Sequence, residues 1–263
     1  WEFNTITNNT ITGANHCGIE GQTDNSTYSD NKVNDTFLFD NLGLSGGGGW
    51  YEGSGMFVQG YDNLIKYNRL INAGYNGIQF SERNIVEYNY ANNACLTKND
   101  GGGIYTAAAV STPYPNAGNS GSIIRYNIVD GAYGTIDGEP TGGTRRVHGI
   151  VLDDISGGIT VENNTATNTT GKGVFAHKGY NNTIRYNTLY RNKNGFGFNW
   201  DGRGTVATNN IVYGFNRDLN DLQTERMVTQ DNLTAQPTIN NNTYVNHYQS
   251  TEVFSTAYAT HKN

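Results

Sequence analysis

One short pattern is rewritten along the chain: a glycine, an apolar residue, a variable residue and, in most copies, a second apolar residue. It reads GIEGQ from Gly18, GMFVQ from Gly55, GIQFS from Gly77, GIYTA from Gly103, GIVLD from Gly149, GVFAH from Gly173 and GFGFN from Gly195. Consecutive copies lie 37, 22, 26, 46, 24 and 22 residues apart, and the two long intervals read as coils carrying insertions. A second pattern interleaves with the first: ITNNTI around Asn9, IKYNRL at Asn68, VEYNYA at Asn89, IRYNIV at Asn127, VENNTA at Asn164, IRYNTL at Asn187 and ATNNIV at Asn210. Its final intervals are both 23 residues. Two motifs in phase predict a coil made of a glycine strand, a turn, an Asn-centred strand and another turn. A unit this small cannot bury a core alone, whereas stacked units make one continuous apolar column. The expected fold is all-β: a right-handed parallel β-helix solenoid with inserted loops. Asn suits the repeated corner because it tolerates a left-handed backbone and its amide can bond to the Asn above and below.

The composition agrees. The chain of 263 residues has 34 glycines, 4 prolines and only 15% charged residues, and the ordinary helix formers are scarce beside Asn, Thr, Gly and Tyr. Its 12% aromatics separate it from disordered polar chains. Regular coils run to about residue 215, and RDLNDLQTERMVTQDN breaks phase, so 216–263 reads as an irregular terminal coil or cap of a single β-helix domain, 1–263. The opening WEFNTITNNTITG already reads as mid-repeat, which predicts a fragment or mature piece of a longer chain.

The coils built on GI-x-x and I-x-x-N-x-I resemble the pectate-lyase-like superfamily of right-handed β-helix proteins over residues 1–215, and NDGGGIYT at 99–106 is similar to bacterial carbohydrate-active β-helix proteins. The resemblance implies polysaccharide lyases and glycoside hydrolases first, with phage tailspikes and adhesins as differently employed members. It also implies a secreted or periplasmic bacterial protein acting on a polysaccharide or oligosaccharide. A formal charge of −6 argues against nucleic acid, which needs a basic stripe. No apolar run has membrane-spanning length, so no membrane insertion is expected. Cys17 and Cys95 have neither metal-ligand nor disulfide-framework spacing and read as two buried thiols.

Alternate side chains of a strand face opposite sides. Aligning the glycines puts Ile19, Met56, Ile78, Ile104, Ile150, Val174 and Phe196 inward, together with Val58, Phe80, Thr106, Leu152, Ala176 and Phe198. The intervening columns are expected to face solvent. One holds Glu20, Phe57, Gln79, Tyr105, Val151, Phe175 and Gly197; the next holds Gln59, Ser81, Ala107, Asp153, His177 and Asn199; and Glu82, Asp154, Lys178 and Trp200 follow at the strand ends. Coils stack about 4.8 Å apart, so Asp153 and His177 are predicted neighbours, as are Asp154 and Lys178. Three insertions adjoin this face, at 43–54, 107–122 and 131–148, and are expected to wall a groove across it.

Glycoside hydrolysis needs one protonated and one ionised carboxyl group. Asp153, Asp154, Asp100 and Glu82 are the catalytic candidates, with Glu52 a further carboxylate at the rim. Glu82 and Asp154 share a column two coils apart, roughly 9–10 Å between backbones. Adjacent aspartates raise one another's proton affinity, which would keep one of Asp153 and Asp154 protonated. His177 reads as an oriented proton carrier. Arg146 and His148, on the returning loop beside Arg145, suit an acidic sugar, and Lys178 lies beside Asp154. Trp50, Tyr51, Tyr105, Phe175 and Trp200 offer faces for sugar stacking. Each has a structural alternative: a strand-end turn for Asp153–Asp154 and for Asp100, a surface ion pair of Glu82 with Arg83, a solvated His177, arginines that neutralise Asp137 and Glu139, and aromatics that pack between coils. A lyase would use Lys178, His177, Tyr105 or Arg146 on a uronate, often with Ca²⁺. Hydrolysis requires no cofactor and leads, followed by the lyase and then by a non-catalytic glycan-binding adhesin or tailspike-like shaft.

Overall fold

The computed structural model describes residues 1–39, 51–107, 121–136, 145–213, 226–245, 252–256 and 260–262. Trp50, Asp137 and Glu139 lie outside them, as do most of the inserted stretches 43–54 and 107–122 and residues 137–144 of the third. The described strands form three sheets of 9, 9 and 10 strands, in which, apart from the final hairpin, each strand pairs with the strand three further along the chain. This is a parallel β-helix with three strands per coil. All ladders are parallel except the last, where Glu252–Thr256 meets Thr260–Lys262 antiparallel. Among the described residues, no helix is long and apolar enough to cross a membrane.

The coil has one more strand than expected. Each Asn-centred segment divides at its middle, as in Leu64–Lys66 followed by Arg69–Ala73 and in Ile123–Arg125 followed by Ile128–Ala132. The left-handed residue at this corner is the one before the Asn: Tyr67, Tyr88, Tyr126, Asn163, Tyr186 and Asn209 have φ between 54° and 57°. The turn therefore sends the Asn side chain inward instead of setting the Asn backbone itself left-handed. Its amide then bonds from coil to coil at 2.8–3.0 Å through Asn9, Asn31, Asn68, Asn89, Asn127, Asn164, Asn187, Asn210 and Asn242. Each link satisfies a polar group that burial would otherwise strand.

The inward columns of the glycine sheet fall as expected. Ile78, Ile104, Ile150 and Phe196 are fully buried, with Phe80, Leu152, Ala176 and Phe198 beside them, in one cluster with Val86, Ile124 and Val161 from the second sheet and Leu70, Val129 and Leu189 from the third. Gly149 opens its strand for reasons of space: a Cβ there would lie 2.4 Å from Gly173 O and 2.8 Å from the Ala166 Cβ.

The first outward column keeps its predicted register, Tyr105 opposite Gln79 and Val151, and Val151 opposite Phe175. Beyond Glu20, which is exposed on the edge strand, it is largely closed to solvent. Phe57, Gln79, Tyr105 and Val151 are buried, because chain leading into the glycine strands packs over it. The Tyr51 ring stacks on Phe57 at 4.8 Å, Ser54 and Asn76 bond to Gln79 Oε1, and Gly102 comes so close to Val151 that a Cβ would meet it at 2.7 Å. The glycine sheet is thus covered on both sides along its first column, and polar chemistry is confined to the strand ends.

Candidate active site

The strand Val147–Asp153 ends at Asp153, and Lys172–His177, next in the sheet, ends at His177. His177 Nδ1 lies 2.6 Å from Asp153 Oδ1, and Lys178 Nζ lies 2.8 Å from Asp154 Oδ1. Both neighbours are those that coil stacking predicts. Asp153 Oδ1 also accepts the Asp154 N–H at 2.9 Å, while Oδ2 accepts the Tyr105 hydroxyl at 2.7 Å. Only 16% of the Asp153 side chain is exposed. Burial pushes its carboxyl upward, but the bonds from His177 and Tyr105, the nearby imidazole and the Asp154 N–H outweigh it and hold the carboxyl below its ordinary value. The expectation that adjacency with Asp154 would keep one aspartate protonated therefore fails for Asp153, whose donors favour the ionised form.

Asp100 moves the other way. Partial burial raises its carboxyl; the Arg146 guanidinium at 3.8 Å and His177 oppose the rise, while the Asp153 and Asp154 charges reinforce it. Solvent reaches 43% of its side chain, which tempers the effect. Its backbone is left-handed, with φ 61°, and its carbonyl accepts the Tyr75 hydroxyl at 2.7 Å. Tyr75, missed in the sequence, thereby anchors the entry to the strand Gly101–Ala107, which Asp100 precedes and to which Tyr105 belongs.

The turn after Asp153 is strained. Asp154 and Ile155 have φ of 31° and 64°, and a β-branched residue seldom adopts that region. Ser156 closes the turn by bonding back to Asp153 O, and Ile155 packs on Tyr180. The strand-end turn and the ionisable cluster are one feature, not alternatives.

The remaining predicted residues divide. Tyr105 and Phe175 are not stacking faces. The Tyr105 ring is buried under its bond to Asp153, and Phe175 lies beneath Lys172 Nζ at 4.4 Å and the His148 ring at 4.4 Å. His148 stands inside the strand and not on a loop; its Nδ1 accepts the Lys172 N–H at 3.0 Å, and burial, with help from Lys172 and His177, holds it well below its ordinary value and so neutral. It is no cation for an acidic sugar. Trp200 closes its strand at φ 69° and is 49% exposed, so one stacking face remains. Glu82 sits in the turn before Arg83, whose partner is Asp62 at 2.7 Å; among the described residues no bond joins Glu82 to the Asp153 cluster. Glu52 belongs elsewhere, 3.4 Å from His16.

One further residue has the marks of a ligand contact. Asn199 follows His177 in the sheet and is followed by Asp231. Its Oδ1 is buried and has no hydrogen-bond partner among the described residues, a state that native structures rarely leave unexplained. As for metals, Asp153, Asp154 and His177 each offer one atom, all within 4.8 Å of one another. Ca²⁺ takes six to eight oxygens, a set these three side chains do not make, and Lys178 already neutralises Asp154.

No protein-family model matches the chain, and no curated protein matches it. Among solved structures, XylC in complex with xylose superposes with a TM-score of 0.47 at 9% identity, over 82% of this chain and 36% of that one. The Agl-KA catalytic domain gives 0.48 at 12% identity, over 92% and 47%. The Pseudomonas phage phi297 tailspike gp61 gives 0.35 at 11% identity, over 90% and 45%. The chain spans less than half the length of each of these three structures. None of these likenesses assigns an activity.

Proposed function

We propose that this β-helix cleaves a glycosidic bond of a polysaccharide by hydrolysis, with Asp100 as the acid and Asp153 as the base. The observation that carries the reading is the opposed behaviour of two carboxyls: Asp100, which feels the charge of Asp153, is pushed up, and Asp153 is held down by its donors. Divergent environments of this kind are how paired carboxyls divide acid and base work. Asp153 Oδ1 carries two bonds and Oδ2 one, so Oδ2 keeps a lone pair for the proton of an attacking water. Asp100 would protonate the departing glycosidic oxygen. His177 and Tyr105 position Asp153, while Asn199 and Trp200 would meet sugar hydroxyls and a ring face. The protein groups suffice for this chemistry without Ca²⁺.

A lyase is the second reading, favoured by one feature. With Nδ1 turned to Asp153, the basic nitrogen of His177 is Nε2, free in its tautomer to take a proton α to a uronate carboxylate, with Arg146 as the neutralising cation.

Incubation with a panel of polysaccharides, following reducing ends and the ultraviolet absorbance of unsaturated uronates in parallel, separates the readings. Hydrolysis predicts reducing ends alone, undiminished by chelator. Asp100→Asn and Asp153→Asn should each lower turnover by roughly 10²–10⁴-fold while circular dichroism stays unchanged. Ultraviolet-absorbing products would establish the lyase. Glycan binding without cleavage would leave an adhesin, and full activity in both variants would move the site elsewhere.

A further inference from the structure

A second cluster lies at the N-terminal edge of the same sheet, four strands from Asp153, a lateral separation alone of about 19 Å at β-sheet spacing. The segment HCGIE brings His16 and Cys17 to the start of the edge strand Ile19–Gln22, where Glu20 points outward. His16, Cys17 and Glu20 each offer a ligand atom, all within 4.8 Å of one another.

We propose that His16, Cys17 and Glu20 form a transition-metal site, with Zn²⁺ as its metal and water in the fourth position. The spacing suits the ion. His16 Nδ1 and Glu20 Oε2 are 3.5 Å apart, close to the edge of about 3.4 Å that zinc bonds of about 2.0–2.1 Å give a tetrahedron. The opposite nitrogen, Nε2, lies 3.4 Å from Glu52 Oε1. A metal-bound histidine characteristically donates its other N–H to a carboxylate, which fixes the tautomer and the ring plane. The Tyr51 ring meets the imidazole edge-on at 5.7 Å and is itself stacked on Phe57, so the ring that abuts His16 is held by the sheet.

Donor chemistry selects the class of ion. A thiolate, an imidazole and a carboxylate suit zinc and its neighbours, whereas Ca²⁺ and Mg²⁺ take oxygen sets. Three protein ligands with one open position is the arrangement of an accessible zinc site. Cys17 is half-buried, with Sγ 3.4 Å from Tyr51 O. Zinc takes the thiolate, so binding must release the Cys17 proton. The Lys98 ammonium donates to the Glu52 carbonyl at 2.8 Å, and the Glu52 carboxylate lies 3.4 Å from His16. Neither cysteine spacing nor a CxxC motif marks this site in the sequence; the chain fold supplies Glu52.

The test uses the whole chain, stripped with chelator, loaded with Zn²⁺ or Co²⁺ and dialysed. One zinc per chain should remain. Cobalt should show a thiolate charge-transfer band and strong visible bands of tetrahedral geometry, both discharged by zinc. Cys17→Ser should abolish the charge-transfer band, and His16→Gln, a change at a side chain 46% exposed, should abolish retention with melting unchanged. Glu52→Gln should keep the stoichiometry and weaken affinity roughly 10–100-fold. Asp153→Asn should bind as the unaltered chain does. The site is disproved if the unaltered chain retains no metal, if Cys17→Ser and His16→Gln bind as before, or if Asp153→Asn removes the ion.

Discussion

Replacing Tyr105 by Phe removes one oxygen from the middle of the candidate site and leaves the ring volume unchanged. That oxygen donates at 2.7 Å to Asp153 Oδ2, the one bond that Oδ2 accepts among the described residues. A hydrogen bond to a charged group contributes about 1.5–3 kcal/mol, and here the acceptor would stay buried without it. At about 2–4 °C per kcal/mol for a chain of this size, Tyr105→Phe should melt roughly 3–12 °C lower at neutral pH. The sign of the pH dependence follows from Asp153. Its folded carboxyl lies below the unfolded one, so its stabilisation is complete above the unfolded value and disappears as pH falls through the folded value. Tyr105 itself is pushed well above its ordinary value by burial and by Asp153, and it remains a donor throughout. The difference between the two proteins should therefore be largest near neutrality and narrow steadily in acid. Calorimetry across a buffer series, with exposed Tyr186→Phe as control, measures it. A gap independent of pH, or none at all, would mean that Asp153 is not the ionised acceptor described here.

Two further substitutions probe the frame. Asn127→Ala removes the acceptor of the Asn89 N–H at 2.9 Å and the donor to Val86 O at 2.8 Å, and should cost about 3 kcal/mol or more in urea unfolding; Asn9→Ala, at the exposed end of the same ladder, should cost under about 1 kcal/mol. Gly149→Ala places a Cβ 2.4 Å from Gly173 O and should destabilise by about 1–3 kcal/mol. Tolerance of the change, measured in the same way, would show that this corner has room.

The winding of the chain was legible because it is enforced in every coil. Ile104, Ile150 and Val174 recur since a parallel solenoid has one interior, and the asparagines recur since each must bond to the next. The third strand was hidden because a corner of this kind costs only one left-handed residue, which in the central coils of Asn68, Asn89 and Asn127 is Tyr. Tyr carries no turn signal of the sort that Gly and Asn do. The glycines were legible as a column, but their cause was not: Gly149 is required by crowding, which sequence spacing does not report.

The candidate site divides along the same line. Adjacency depends on register alone, so the pairs Asp153–His177 and Asp154–Lys178 follow from counting. Protonation depends on burial and on donors from other coils, and neither is periodic. Tyr105 reaches Asp153 across a coil boundary from a column expected in solvent, and the chain over that column removes the water that would have made it a stacking face. Burial likewise keeps His148 neutral and raises the Asp100 carboxyl. In a solenoid the repeat determines which side chains meet, whereas segments outside the repeat, by admitting or excluding water, determine what the meeting can do chemically. Where a strongly repetitive chain carries function, its ionisable residues should therefore be judged by what covers them before they are judged by their place in the repeat.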